Sequence, residues 1–143
     1  MGLRFRNVKL PKGAVIKRAT LKVFCVSDAW GTAAVDGVLK GEAADNPGPF
    51  EVANRLITTL PTTKAAKDWK LTPENPWKKS TWNESPDLTP IVQEIVNRAK
   101  WSPDNALVIL YLMKESSGAD RAFWAYDGGN PAAAARLIIT YQP

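Results

Sequence analysis

The sequence predicts an all-β fold: a jelly-roll-like antiparallel β-sandwich with one short α-helix around residues 89–100. Three observations predict it. Apolar residues recur at every second position through most of the chain, as strands with one buried face require. Turn chemistry separates these runs, at Pro11-Lys12-Gly13, Asp45-Asn46-Pro47-Gly48-Pro49, Pro73-Glu74-Asn75-Pro76 and Asp127-Gly128-Gly129-Asn130-Pro131. A single segment departs from this rhythm and takes up a helical one.

Leu3, Phe5 and Val8 open the chain. After the Pro11-Gly13 turn, Ile16 leads into Ala19, Leu21, Val23 and Cys25, with Lys17, Thr20 and Lys22 interleaved, which reads as a half-buried strand. Val35 to Glu42, Leu56 to Leu60 and Lys64 to Trp69 read as further strands. Ala106 to Met113 is almost continuously apolar, as a central strand covered on both faces would be. Arg121 to Tyr126 and Arg136 to Tyr141 complete the set. About eight short strands at this spacing argue for a sandwich or barrel. Leu88, Ile91, Val92, Ile95, Val96 and Ala99 instead share one helical face. Thr89 is the expected N-cap and Pro90 the first helical residue, with Glu94 and Arg98 paired on the polar side.

The 143 residues form one domain, 1–143, with neither a repeat nor a dividing linker. Its hydrophobic share of 45% and charged share of 23% are those of a globular chain. Cys25 is the single cysteine, so no internal disulfide forms, and its place in an alternating run predicts a buried position. No stretch is apolar enough for a signal peptide or a membrane span, so no membrane insertion is expected.

Histidine is absent. That removes the commonest general base, the usual partner of a serine or cysteine nucleophile, and the commonest zinc and iron ligand. Carboxylate chemistry and oxygen-ligand metals survive. Glu42, Asp45 and Glu51 lie close in sequence, and Asp127 precedes two glycines. Asp45, Asn46 and Asp127 are the candidate oxygen ligands if calcium is bound, although no loop has the ligand spacing of an EF-hand. No acid–base pair can be named, and the expectation is a protein that is not an enzyme, with no cofactor.

The net charge of +5 concentrates in Arg4 to Lys22 and Lys64 to Lys79. Such a balance favours anionic partners, yet no compact basic motif or recognition helix accompanies it, which points away from nucleic acid. Trp69, Trp77 and Trp82 fall in a lysine- and proline-rich stretch. Trp69 is expected in the core. Trp77, Trp82 and Trp30 beside Asp28 are the candidate ligand-binding residues, because exposed indoles stack on sugar rings.

Several motifs also resemble a known module. Gly2-Leu3-Arg4-Phe5 with Asn7-Val8, and Leu10-Pro11-Lys12-Gly13-Ala14 with Ile16, look like the opening of a jelly-roll, carbohydrate-binding-module-like domain. That domain occurs in secreted bacterial and archaeal multidomain proteins and in phage virion proteins. Gly41-Glu42-Ala43 with Asp45-Asn46 and Phe50 is similar to its middle. Ser85-Pro86-Asp87-Leu88-Thr89 followed by Ile91-Val92-Gln93-Glu94-Ile95-Val96-Asn97-Arg98 matches it best, and Ala125-Tyr126-Asp127-Gly128 resembles its end. The resemblance implies a non-catalytic domain with structural tryptophans at Trp69, Trp77 and Trp101. It also implies a further strand ahead of residues 2–5, either missing from 1–143 or donated by a neighbour.

The expected function is a structural or adhesive module of an extracellular or virion-surface assembly. Its partners would be protein subunits, through oligomerisation or strand exchange. The alternative is a carbohydrate-binding module that recognises glycans through exposed tryptophans.

Overall fold

A computed structural model describes residues 1–29, 33–51, 53–74, 77–114 and 118–143. Two antiparallel sheets face each other across one core. Sheet A has the order β1-β6-β3-β4 and sheet B the order β5-β2-β7, where β1 is Gly2–Phe5, β2 Val15–Phe24, β3 Val35–Glu42, β4 Thr62–Leu71, β5 Trp82–Glu84, β6 Leu107–Met113 and β7 Arg136–Gln142. The chain changes sheet at five of its six strand-to-strand steps, all but β3 to β4, the alternation of a jelly-roll-like sandwich. One helix, α1 (Thr89–Val96), packs against β2, β3 and β4, so it closes one end across both sheets.

The period-two pattern explains the inner faces. On β3 the inward residues Val35, Gly37, Leu39 and Gly41 are all buried. On β2 the inward residues are Ala19, Leu21 and Val23, opposite Leu137 and Ile139 of β7. The expected central strand is β6, flanked by β1 and β3. Its first five residues are buried, because one face meets the core and the connection after β3 covers the other. Phe50 and Ile57 of that connection lie against Gly2, which pairs with Leu110.

Four expectations need correction. Leu56 to Leu60 is not a strand but a 3-10 turn at Ile57–Thr59; Pro61 follows and the Thr59 hydroxyl donates to the Leu56 carbonyl. Arg121 to Tyr126 makes only an isolated bridge, Phe123 to Cys25, since β2 ends there and β7 occupies the rest of its flank. β5 was not expected; three residues with a single apolar side chain carry no readable period. The helix stops at Val96 rather than Lys100, and Thr89 is its first residue rather than its cap. The carboxylate of Asp87 takes the Thr89 N–H and hydroxyl instead, at 3.1 and 2.6 Å.

The motif at residues 85–94 ties the helix to both sheets. Along the outer side of β2, Ser85 Oγ accepts the Leu21 N–H, Asp87 Oδ1 the Ala19 N–H, and Gln93 Oε1 the Ile16 N–H. Gln93 Nε2 returns a bond to the Ala14 carbonyl. The next residue reaches the opposite sheet: Glu94 accepts the N–H groups of Lys64 and Ala65 on β4 at 2.9 and 2.8 Å. Adjacent helical positions diverge by about 100°, which lets Gln93 serve sheet B while Glu94 serves sheet A.

Candidate functional site

Three surfaces have the composition of a binding site. The first lies on the outer face of sheet B. Cross-strand pairing sets Trp82 beside Phe24, and Glu84 with Arg136 on either side of Lys22. Phe24 and Trp82 meet edge to face at 5.1 Å. The Arg136 guanidinium lies over the Trp82 ring at 4.5 Å, a cation–π contact on an indole that is 39% exposed. Glu84 accepts from Arg18 at 3.0 Å, and that bond holds its carboxyl below the usual carboxylate range. The result is a mixed aromatic and cationic platform.

The second is a cavity of about 400 Å³ between the sheets, at the end away from the helix. Trp69, Trp77, Tyr111, Leu71 and Phe123 line it. Trp77 was expected as an exposed stacking residue. It is instead 4% exposed, packed against Trp69 at 5.7 Å, because its loop returns across the open end of the sandwich and buries the ring. The hydroxyl of Tyr111 donates to the Trp69 carbonyl at 3.0 Å, and burial pushes its pKa up to about 12. Trp101, as expected of a core residue, is buried and donates from Nε1 to the Leu10 carbonyl.

The third is the outer edge of β7, beside a groove of about 340 Å³. Leu3 and Phe5 of β1 and Arg6 after it line the groove with Tyr126, Ala134 and Ala135, while the Arg4 guanidinium donates to the Pro47 carbonyl at 2.8 Å.

Asp28, Asp45 and Asn46 are structural anchors in this fold. Asp28 accepts the Lys79 N–H at 2.8 Å and fixes the loop before β5. Trp30, beside it in sequence, lies outside the described residues. Asp45 pairs with Arg98 at 3.1 Å, and Asn46 Oδ1 accepts the Ala106 N–H at 2.8 Å, so both pin the turn after β3 to the segment leading into β6. Asp127 is exposed in the turn at residues 126–129. Among the described residues no three His, Cys, Asp or Glu side chains gather to hold a metal. Asp45 and Asn46, two of the three candidate calcium ligands, thus each spend a side-chain oxygen on a protein partner. Glu42 is also structural: 2% exposed, it pairs with Arg55 at 2.8 Å beneath the 48–55 loop. The thiol of Cys25 is buried, and burial raises its pKa.

No protein-family model matches the sequence, and no curated protein matches it. Among the described residues no helix is long and apolar enough to cross a membrane. Sequence reasoning found Trp82 but missed Arg136 and Phe24, which only cross-strand register brings to it. It also missed the β7 groove, whose two walls are more than a hundred residues apart in the chain.

Proposed function

We propose that the domain is a non-catalytic structural or adhesive module, assembling with other protein subunits at an extracellular or virion surface. One observation carries this reading: six side chains with catalytic or ligand-binding chemistry are spent on the fold itself. Asp45, Asn46, Glu42, Asp87, Gln93 and Glu94 each satisfy a backbone group or an internal cation. What they leave outward is sheet surface and sheet edge. The resemblance to jelly-roll domains of secreted and virion proteins agrees with it.

The test is the state of the native protein in material stripped from cells or particles. Recovery in surface fractions, at masses well above the 15.7 kDa of one chain, is the expected result. Recovery as a free monomer inside cells would refute the reading.

A second reading, glycan binding, is favoured by the exposure of Trp82 on an outer sheet face. A sugar would have to displace Arg136 from the ring or stack on the other side. Titration with oligosaccharides of varied charge should quench indole fluorescence in the wild type and not in Trp82→Ala; no response to any of them removes this reading.

A further inference from the structure

The outer face of sheet B is ordered in rows. Register sets Trp82 beside Phe24 in one row, and Glu84, Lys22 and Arg136 together in the next. Beyond them Thr20 stands beside Ile138, and Arg18 beside Thr140. The aromatic row has a further member. Where β7 leaves the flank of β2, residues 122–124 take its place: the Val26 N–H bonds to the Ala122 carbonyl and the Trp124 N–H to the Phe24 carbonyl, around the Cys25–Phe123 bridge. Cys25 and Phe123 pack on the core. By alternation Trp124 therefore stands on the outer face, next to Phe24. The turn at residues 126–129 backs its ring, since a Cβ on Gly128 would lie 3.2 Å from Trp124 Cε3. Trp82, Phe24 and Trp124 thus form one line across neighbouring strand segments, with Trp82 the exposed end of it.

The charges of the next row are unequal in what they are given. Arg18 and Lys22 share the half-exposed Glu84 carboxylate, at 3.0 and 3.6 Å, and the charge of Arg18 also reaches Asp87. Arg136 is different. Among the described residues no carboxylate pairs with it: its guanidinium lies over the Trp82 ring and gives one N–H to the Ala132 carbonyl at 2.9 Å. A guanidinium is a fork of N–H donors, and the rest of this fork faces outward beside the aromatic row.

A ligand for this face has to meet its chemistries together. It needs apolar ring faces for the aromatic line, hydroxyl donors for Glu84 and an anion for Arg136 and Lys22. A pyranose that carries a carboxylate offers all of these. DNA brings rings and anions but no backbone hydroxyls for Glu84, which would repel phosphates on either side of it. A second copy of this chain, of net charge +5, brings the wrong sign. A strand added beside β5 or β7 would widen the face and not cover it, so the site is independent of what pairs at the sheet edges.

We propose that the outer face of sheet B binds a polysaccharide of uronic acids, its rings lying along Trp82, Phe24 and Trp124 and a carboxylate held by Arg136 with Lys22. The proposal rests on the glycan reading and names its ligand class. It also gives Arg136 a use: the guanidinium that a neutral sugar has to move off the indole is the group a uronate binds.

Oligomers of galacturonate, mannuronate and glucuronate, each beside its methyl ester, are the probes, and calorimetric titration is the measurement. At least one acid should bind at least about tenfold more tightly than its ester, and more weakly as salt rises. Amide shifts on adding that acid should gather at residues 20–24, 82–84, 124 and 136–138. Arg136→Gln should weaken the acid at least about tenfold and leave the ester unchanged. Lys67→Gln, at an exposed position on β4 of the opposite sheet, removes the same charge and should change neither. Trp82→Ala should weaken both oligomers, and Trp124→Ala repeats that test if the first variant fails to fold. Esters that bind as tightly as their acids overturn the uronate and leave the glycan reading standing. A thymidylate oligomer that outcompetes every uronate makes the occupant a single-stranded nucleic acid and overturns the proposal. Equal losses in Arg136→Gln and Lys67→Gln, or shifts gathered elsewhere, overturn the site. Silence of every oligosaccharide, acid and ester, removes the proposal and the glycan reading together.

Discussion

Asp87 satisfies three groups at once: the Thr89 N–H, the Thr89 hydroxyl and the Ala19 N–H of β2. Its hydrogen bond from the Thr89 hydroxyl, with the two backbone donors, holds its carboxyl below the ordinary carboxylate range. A carboxyl depressed in the folded state adds stability above its unfolded pKa, and that stability is lost as pH falls through the folded one. Asp87→Ala should lose about 1 kcal/mol at neutral pH and show a shallower loss of stability below about pH 4 than the wild type, as urea titrations across acid pH would measure. Gln93→Ala should cost more, roughly 1–3 kcal/mol, because it orphans both the Ile16 N–H and the Ala14 carbonyl. Equal urea midpoints for Gln93→Ala and the wild type would contradict the edge-sealing role. The sequence marked both residues as part of one motif. It could not assign their partners, which lie 68 and 77 positions away.

Among the elements, β3 shows how a strand makes room for its neighbours. A side chain at Gly41 would place its Cβ 2.6 Å from Ile95 Cδ1 of the helix, and one at Gly37 would run into the Tyr111 ring. Close approach of the helix and of β6 thus depends on two missing side chains. Gly41→Ala should destabilise by about 1–3 kcal/mol through overpacking, read as a lowered thermal midpoint with the secondary structure retained. Tyr111, above Gly37, titrates only at about 12 when folded because of its burial, whereas an unfolded tyrosine ionises at about 10. Its contribution is therefore present below about pH 10 and lost as pH rises through the folded value. Tyr111→Phe should show a smaller alkaline loss of stability than the wild type over that window, checked by denaturant unfolding at alkaline pH. Long strands with clean alternation were legible, and so was the helical face. Residues 82–84 and 121–126 were not, because pairing of such short segments is decided by whether β2 still has a free flank beside them.

At the scale of the molecule, one core joins inner faces of both sheets and the helix, from Leu21 and Val23 through Leu39 and Ile109 to Ile91 and Ile95. Among the described residues no layer has a separate core, so unfolding should be a single cooperative transition. Ile109→Ala, at a fully buried position in the central strand, should cost about 2–5 kcal/mol. Calorimetry should show one peak, shifted down; two peaks would mean that the sheets unfold apart. The surface is decided at the same scale. Tryptophans that look alike in the sequence divide between the interior, where Trp69, Trp77 and Trp101 lie, and the outer face at Trp82.

The sequence by itself determined the all-β class, the place of the helix and most of the core, since all three follow from periods of two and 3.6 residues within short windows. It also marked Asp45 and Asn46, but as ligand oxygens rather than anchors. Tertiary structure alone decided which strands become neighbours, which tryptophan is exposed and where the carboxylates find partners. Those outcomes depend on register, which is set by contacts between residues far apart in the chain.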